Sequence, residues 1–298
     1  MTETYASSGQ ASGDFIRLRT ISLGAGVQST TMALMAAHGD LKPMPDCAIF
    51  ADTGWEPKRV YDHLDWLEEK LPFPVHRVRR HPTIDLKEAC LKNARGEIKH
   101  GKCTTIPAFA PGSDGRAAPL IRQCTRDYKV EPIMWKLRDL VGIKPRSPGP
   151  KHPVIEQWIG ISTDESHRMK PARERWVETR WPLIMVARMS RWDCLKWLDK
   201  HGYNRPGKSS CIGCPYHGNE MWREMRDHDK TSWADAVQFD RAIRNGFKGC
   251  RGTTYLHRSL KPLDQVDLST DAEKGQPDLF QGADPDQFGN ECEGLCGV

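Results

Sequence analysis

Cys211-Ile212-Gly213-Cys214-Pro215 puts two thiols on one tight turn, the spacing at which soft metal ions and iron-sulfur clusters take paired thiolates. Two ligands do not make a site. Cys124 is a candidate third, because Arg122, Arg126 and Lys129 flank it and it stands just before a helical segment, where cations and the helix dipole favour thiolate. Three cysteines would leave one iron of a 4Fe-4S cluster without a protein ligand. Cys250, in Lys-Gly-Cys-Arg-Gly, could close the site instead, and zinc on the same three with His217 or Cys250 is the alternative. Cys292 and Cys296 lie in the last seven residues, near enough to pair with each other. Cys47, Cys90 and Cys194 stand singly among apolar or helical residues and read as small buried hydrophobes.

A second chemical signal lies near the start. Ser22-Leu23-Gly24-Ala25-Gly26-Val27-Gln28-Ser29 reads as a strand ending in glycines that runs into a helix, which offers free backbone N–H groups and a positive dipole end to phosphate. The spacing is neither the P-loop nor the full dinucleotide fingerprint, so an ordinary P-loop NTPase or a dehydrogenase is disfavoured.

The elements that must carry these residues follow from periodicity. Leu18 to Leu23, Cys47 to Ala51, Phe73 to Val78 and Val154 to Ile161 read as strands; Gln28 to Ala37, Lys58 to Leu71, Thr125 to Val141, Ser190 to His201, Asn219 to Arg226 and Thr231 to Asn245 read as helices. Asn93 to Arg116 reads as a long surface loop. This alternation predicts an α/β, doubly wound, mostly parallel sheet with helices on both faces. The expected organisation is a nucleotide-binding domain over residues 15–190, a helical region carrying the C-x-x-C motif over 191–264 packed on it, and a flexible acidic tail with terminal cysteines over 265–298.

The 298 residues carry a formal charge of +5, unevenly spread: from Gln265 onward eight acids face one base, leaving +12 on residues 1–264. That body can attract polyanions, nucleotides and nucleic acid included. Trp55, Trp176, Trp181 and Tyr216 supply aromatic rings, but no recognised nucleic-acid-binding module is present. No apolar run reaches the roughly 20 residues of a membrane span. Ten cysteines without a visible secretory signal point to reduced thiols and a cytoplasmic protein.

Five segments in order, Ser22 to Ser29, Ala51-Asp52-Thr53-Gly54, Arg122 to Pro132, Gly160 to Arg168 and Cys211 to Tyr216, resemble the phosphoadenosine phosphosulfate (PAPS) reductase family of the adenine nucleotide alpha-hydrolase-like superfamily. The resemblance covers about residues 18–264. It implies a PP-loop that cradles pyrophosphate or phosphosulfate. Where the superfamily loop runs Ser-Gly-Gly-x-Asp-Ser, this chain has Leu23 and Ala25 off pattern and Gln28 at the place of the aspartate. Sulfonucleotide reductases carry arginines soon after the glycine that Gly160 resembles, where this chain has Ser162 and Thr163.

The resemblance implies an adenine nucleotide, ATP or PAPS-like, bound by Gly24, Ala25, Gly26, Gln28, Ser29, Asp52, Thr53 and Gly54. Arg126, Lys129 and Arg168 would neutralise its anionic oxygens, and Glu165 would orient a substrate hydroxyl or amine. It further implies an iron-sulfur cluster on Cys124, Cys211 and Cys214, with zinc as the rival. Glu291 to Val298 resembles the Glu-Cys-Gly tail of PAPS reductases, which makes Cys296 or Cys292 a mobile nucleophile. The implied activity is reductase or sulfurtransferase chemistry on a small sulfur or nucleotide substrate, with a thiol electron donor. ATP-dependent thiolation of a nucleobase in DNA or tRNA, and a non-catalytic zinc-containing nucleic-acid-binding protein, are the two rival readings.

Overall fold

In the computed structural model, residues 16–97, 106–247, 252–270 and 273 are described. Five parallel strands form the central sheet in the order β3-β2-β1-β6-β7: β1 (Leu18–Leu23), β2 (Cys47–Ala51), β3 (Val75–Val78), β6 (Ile155–Ile159) and β7 (Val177–Arg180). A parallel sheet must be covered on both faces, and the strand residues divide between two cores with the period of two that a strand imposes. Ala48 and Phe50 of β2 face one core with Ile21, packed against α1 (Val27–His38), α2 (Lys58–Lys70) and α6 (Arg191–Lys200). Ile49 and Ala51 face the other, with Ile133 and Leu137 of α4 (Glu131–Leu140).

The helix boundaries have local causes. Every residue of α1 from Val27 to Ala36 is buried, and Gly39 ends the helix in the left-handed region at φ 81°. The Ser190 hydroxyl accepts from the Asp193 N–H to start α6. Asp229 does the same for Ser232 at the start of α8 (Lys230–Ala242). A third core gathers α3 (Leu86–Ala94), α7 (Asn219–His228), α8 and the Cys211 loop around Trp55, Trp222 and Phe239. Leu268 is buried in it too.

Two expectations need correction. The stretch from Asn93 to Arg116 is not one surface loop. Its start belongs to α3, while Ile106, Ala108 and Phe109 are buried; β4 (Phe109–Pro111) pairs antiparallel with β5 (Ala117–Pro119), and Phe109 bridges to Tyr255. The apolar side chains there were masked by Gly, Lys and Pro around them. Trp55 and Trp176 are not free for nucleic acid, because each is 4% exposed. Among the described residues no helix is long and apolar enough to cross a membrane.

Candidate functional site

β1 continues to β2 and β3 on one side, while β6 and β7 lie on the other, so the order reverses between β1 and β6. In open parallel sheets ligands bind outside the carboxyl ends of the strands at that reversal. The turn after β1 and the turn after β6 meet there. A Cβ on Gly160 would stand 2.9 Å from both the Cα and the N of Ser29, so glycine is what lets the two turns touch. Ala25 holds φ 58°, a left-handed value that is costly for a residue with a side chain, at the apex of the β1 turn. A pocket opens at this place, lined by Ser22 from β1, Gly24 from the turn after it, Ala51 from β2, Gly160, Glu56 and Lys129.

The residues expected to hold phosphate converge on the start of α1. Ser29 Oγ accepts from the Gly26 N–H at 3.3 Å. Gln28, fully buried, donates through Nε2 to Ser162 Oγ at 3.3 Å and to Glu165 Oε2 at 3.2 Å, leaving its Oε1 buried without a hydrogen bond. Glu165 Oε1 pairs with Arg168 Nη1 at 2.7 Å. The structure thus places a buried carboxylate against the position where this chain has an amide in place of an aspartate.

Asp52, Thr53 and Gly54 close the next turn. Asp52 accepts from the Gly54 N–H at 2.7 Å, from Tyr61 Oη at 2.9 Å and from Arg79 Nε at 2.7 Å, so its carboxylate braces the loop. Gly54 stands at φ +73° with room for no Cβ, since one would meet Asp85 Cβ at 2.6 Å. Arg126 is placed elsewhere: its side chain is 65% exposed, pairs with Glu131 at 3.2 Å and lines an outer groove.

Cys124, Cys211 and Cys214 come together in a neighbouring pocket, with Thr53, Trp55, Arg122 and Lys129 among its other walls. The C-x-x-C turn is closed by the Cys214 N–H donating to Cys211 O at 3.0 Å, and tied to the Asp52 loop by the Ile212 N–H donating to Trp55 O at 2.9 Å. Gly213 lies flat on the indole of Trp55; a Cβ there would be 2.0 Å from its ring. Trp55 is itself pinned by Nε1 donating to Asp235 at 2.6 Å.

Burial pushes both thiols of the motif up, Cys211 well above the usual range and Cys214 to about 11. The Glu56 carboxylate raises Cys211 further, and Lys129 opposes this. Such thiols are neutral at pH 7, and a metal would bind them with loss of their protons. Among the described residues no three His, Cys, Asp or Glu side chains are arranged to hold a metal ion. The donor types still suit a cluster: three cysteines from two loops share one pocket, with the Glu56 carboxylate in contact with Cys211 Sγ at 3.3 Å. His217 is turned away, its Nε2 2.9 Å from Ser210 Oγ, and burial lowers it to about 3. Cys250, Cys292 and Cys296 lie outside the described residues.

Glu56 is a residue that the motif reading missed. It is 5% exposed; Oε1 accepts from Thr53 Oγ1 at 2.9 Å and from Cys211 Sγ at 3.3 Å, while Oε2 is buried without a hydrogen bond. It therefore links the pocket at the β1 turn to the cysteine pocket. The signal was there, a carboxylate four residues after Asp52 in the same turn. Lys129 lines both pockets.

No family model matches the chain, and no curated protein matches it in sequence. Among solved structures it is similar to a phosphoadenylyl-sulfate (PAPS) reductase from Candida auris, in a phosphate complex, with 13% identity, a TM-score of 0.42, and coverage of 66% of this chain and 81% of that one. It is also similar to the U34-tRNA thiolase NcsA from Methanococcus maripaludis with its 4Fe-4S cluster, with 13% identity, a TM-score of 0.36, and coverage of 76% and 72%.

Proposed function

We propose that this chain is a PAPS reductase-like enzyme that binds an adenine nucleotide at the β1 turn and performs sulfur chemistry beside it, with Cys124, Cys211 and Cys214 holding an iron-sulfur cluster. The observation that carries the reading is the adjacency of the two pockets, which share Lys129 and are joined through the contact of Glu56 with Cys211. The backbone amides from Gly24 to Ser29 would hold phosphate at the positive end of α1. Lys129 would sit between the anionic oxygens of the nucleotide and the thiol pocket, and catalysis would rest on such fixed charges. Glu165, held by Gln28 and Arg168, would orient a hydroxyl or amine of the substrate. Cys124, Cys211 and Cys214 would hold the cluster, which when bound would supply iron to take a hydrosulfide or a substrate sulfur. Cys296 would be the attacking thiol and Cys292 the resolving one.

Two measurements test this. Anaerobic purification followed by iron, sulfide and zinc analysis should find iron and sulfide, lost on substitution of Cys124, Cys211 or Cys214 by Ser; one equivalent of zinc without sulfide would overturn the cluster. Calorimetric titration with ATP, AMP and PAPS should find a binder whose affinity falls in Gly26→Asp, and no binding of any of the three would overturn the nucleotide site.

A further inference from the structure

Beyond the two pockets, the outer side of the Cys124 turn carries a groove of about 600 Å3 lined by Arg122, Arg126, Arg138, Arg173 and Trp135, with Glu131 and Glu174 as the opposing charges. Glu131 is already shared between Arg80 at 2.7 Å and Arg126 at 3.2 Å, so the groove presents a net positive wall. Trp135 is 49% exposed on α4, with the Arg80 guanidinium 6.0 Å from its ring centroid. The guanidinium of Arg122, which lines the groove, stands 5.3 Å from the centroid of Tyr216, itself 44% exposed, and its chain neighbour Ile121 is 75% exposed. Half-exposed rings flanked by guanidinium groups are what an unpaired nucleic-acid strand requires: the rings take bases and the cations take phosphates. An acidic peptide would use the charges and leave the rings idle.

The position of the groove adds direction. Arg122 and Thr125 line both the groove and the cysteine pocket, so the two adjoin along that turn. We infer that this groove docks a single-stranded segment of nucleic acid, with bases stacked on Trp135 and Tyr216, phosphates on Arg122, Arg126 and Arg173, and one end of the strand at the mouth of the Cys124, Cys211 and Cys214 pocket. The inference rests on the sulfur-chemistry reading for what becomes of the strand, and not for its binding. It names a single-stranded nucleic acid as the partner of the outer groove and leaves the pocket at the β1 turn to the adenine nucleotide.

The test is fluorescence anisotropy of a labelled 12-nucleotide strand, made as RNA and as DNA, with the full-length protein. At least one strand should bind more tightly than its own duplex. With three or four phosphates neutralised, affinity should fall about 20- to 50-fold between 50 and 200 mM salt. Trp135→Ala should weaken binding roughly fivefold or more. Arg126→Ala with Arg173→Ala should weaken it and flatten the salt dependence, while Lys58→Ala, on α2, should do neither. Circular dichroism checks that each variant is folded. The titration is run on the full-length protein both with its iron and sulfide and after their removal; equal strand binding in the two separates this proposal from the cluster. No binding, equal affinity for the duplex, displacement by a poly-glutamate peptide as effective as by unlabelled strand, or binding untouched by the groove variants would overturn it.

Discussion

Gly160→Ala is a one-methyl change whose effect can be worked from the structure. The added Cβ would stand 2.9 Å from Ser29 Cα and N and 3.2 Å from the carbonyl carbon of Gln28. All three are backbone atoms near the start of α1, a helix buried along almost its whole length, so no side chain can swing aside. Ordinary contact needs about 3.5 to 4.0 Å, so the two turns must part by more than half an ångström. Overpacking of this kind costs about 1–3 kcal/mol. At about 2–4 °C of melting temperature per kcal/mol, the variant should melt some 2–12 °C lower. The same displacement moves the Ser29 amide away from the pocket, so affinity for whichever of ATP, AMP or PAPS binds should fall at least tenfold in calorimetry, even at a temperature where the variant is folded. Unchanged melting together with unchanged affinity would refute the contact between the β6 turn and α1, and with it the placement of the site at the strand reversal.

Three further outcomes follow from the same geometry. Because the Glu56 carboxylate raises the Cys211 thiol, Glu56→Gln should lower the midpoint of the pH profile for Cys211 alkylation in the metal-free protein, followed by mass spectrometry; an unchanged or higher midpoint would contradict their contact. Burial lowers His63 to about 4, below its unfolded value near 6.5, so its contribution is fully present above pH 6.5 and is lost as pH falls toward 4. Urea unfolding should therefore show a loss of up to about 3 kcal/mol over that window, smaller in His63→Gln, and an equal loss in both would assign it elsewhere. Removing residues 290–298, or Cys296→Ser alone, should leave melting temperature and iron content unchanged while abolishing turnover of the sulfur substrate; full activity of the truncated protein would place the attacking thiol elsewhere.

The fold was legible wherever one periodicity ran uninterrupted. Cys47 to Ala51 is a strand with both faces covered and shows as an unbroken apolar run, and Val60, Leu64 and Leu67 mark the buried stripe of α2. β7 was missed because only Val177 and Thr179 of its four residues are buried, against charged neighbours Glu178 and Arg180, too short a run to outweigh the surrounding charge. Cys124 was picked out beside Cys211 and Cys214 by its flanking cations, its place before a helix and the family resemblance, and the three line one pocket. The bracing role of Asp52 was not legible, since Arg79 and Tyr61 reach it from the segment after β3 and from α2, contacts that no local pattern encodes.

The most informative miss is the segment that joins the two pockets. Thr125 to Val141 reads as one amphipathic helix, yet its first turn, Thr125–Val130, is a π-helix, with the Glu131 N–H donating to Arg126 O five residues back. On a regular α-helix Cys124 and Lys129 would stand about 140° apart, because five residues advance by about 100° each. The wider π turn brings residues five apart onto nearly the same face, and both side chains line the cysteine pocket. Such turns carry strain and recur at functional sites. Lys129 reaches the β1-turn pocket as well, and Arg122, on the other side of Cys124, lines both the cysteine pocket and the outer groove. A regular helical start would keep Cys124 and lose the cation beside it, so the irregular turn is what couples the thiol pocket to the pocket at the β1 turn.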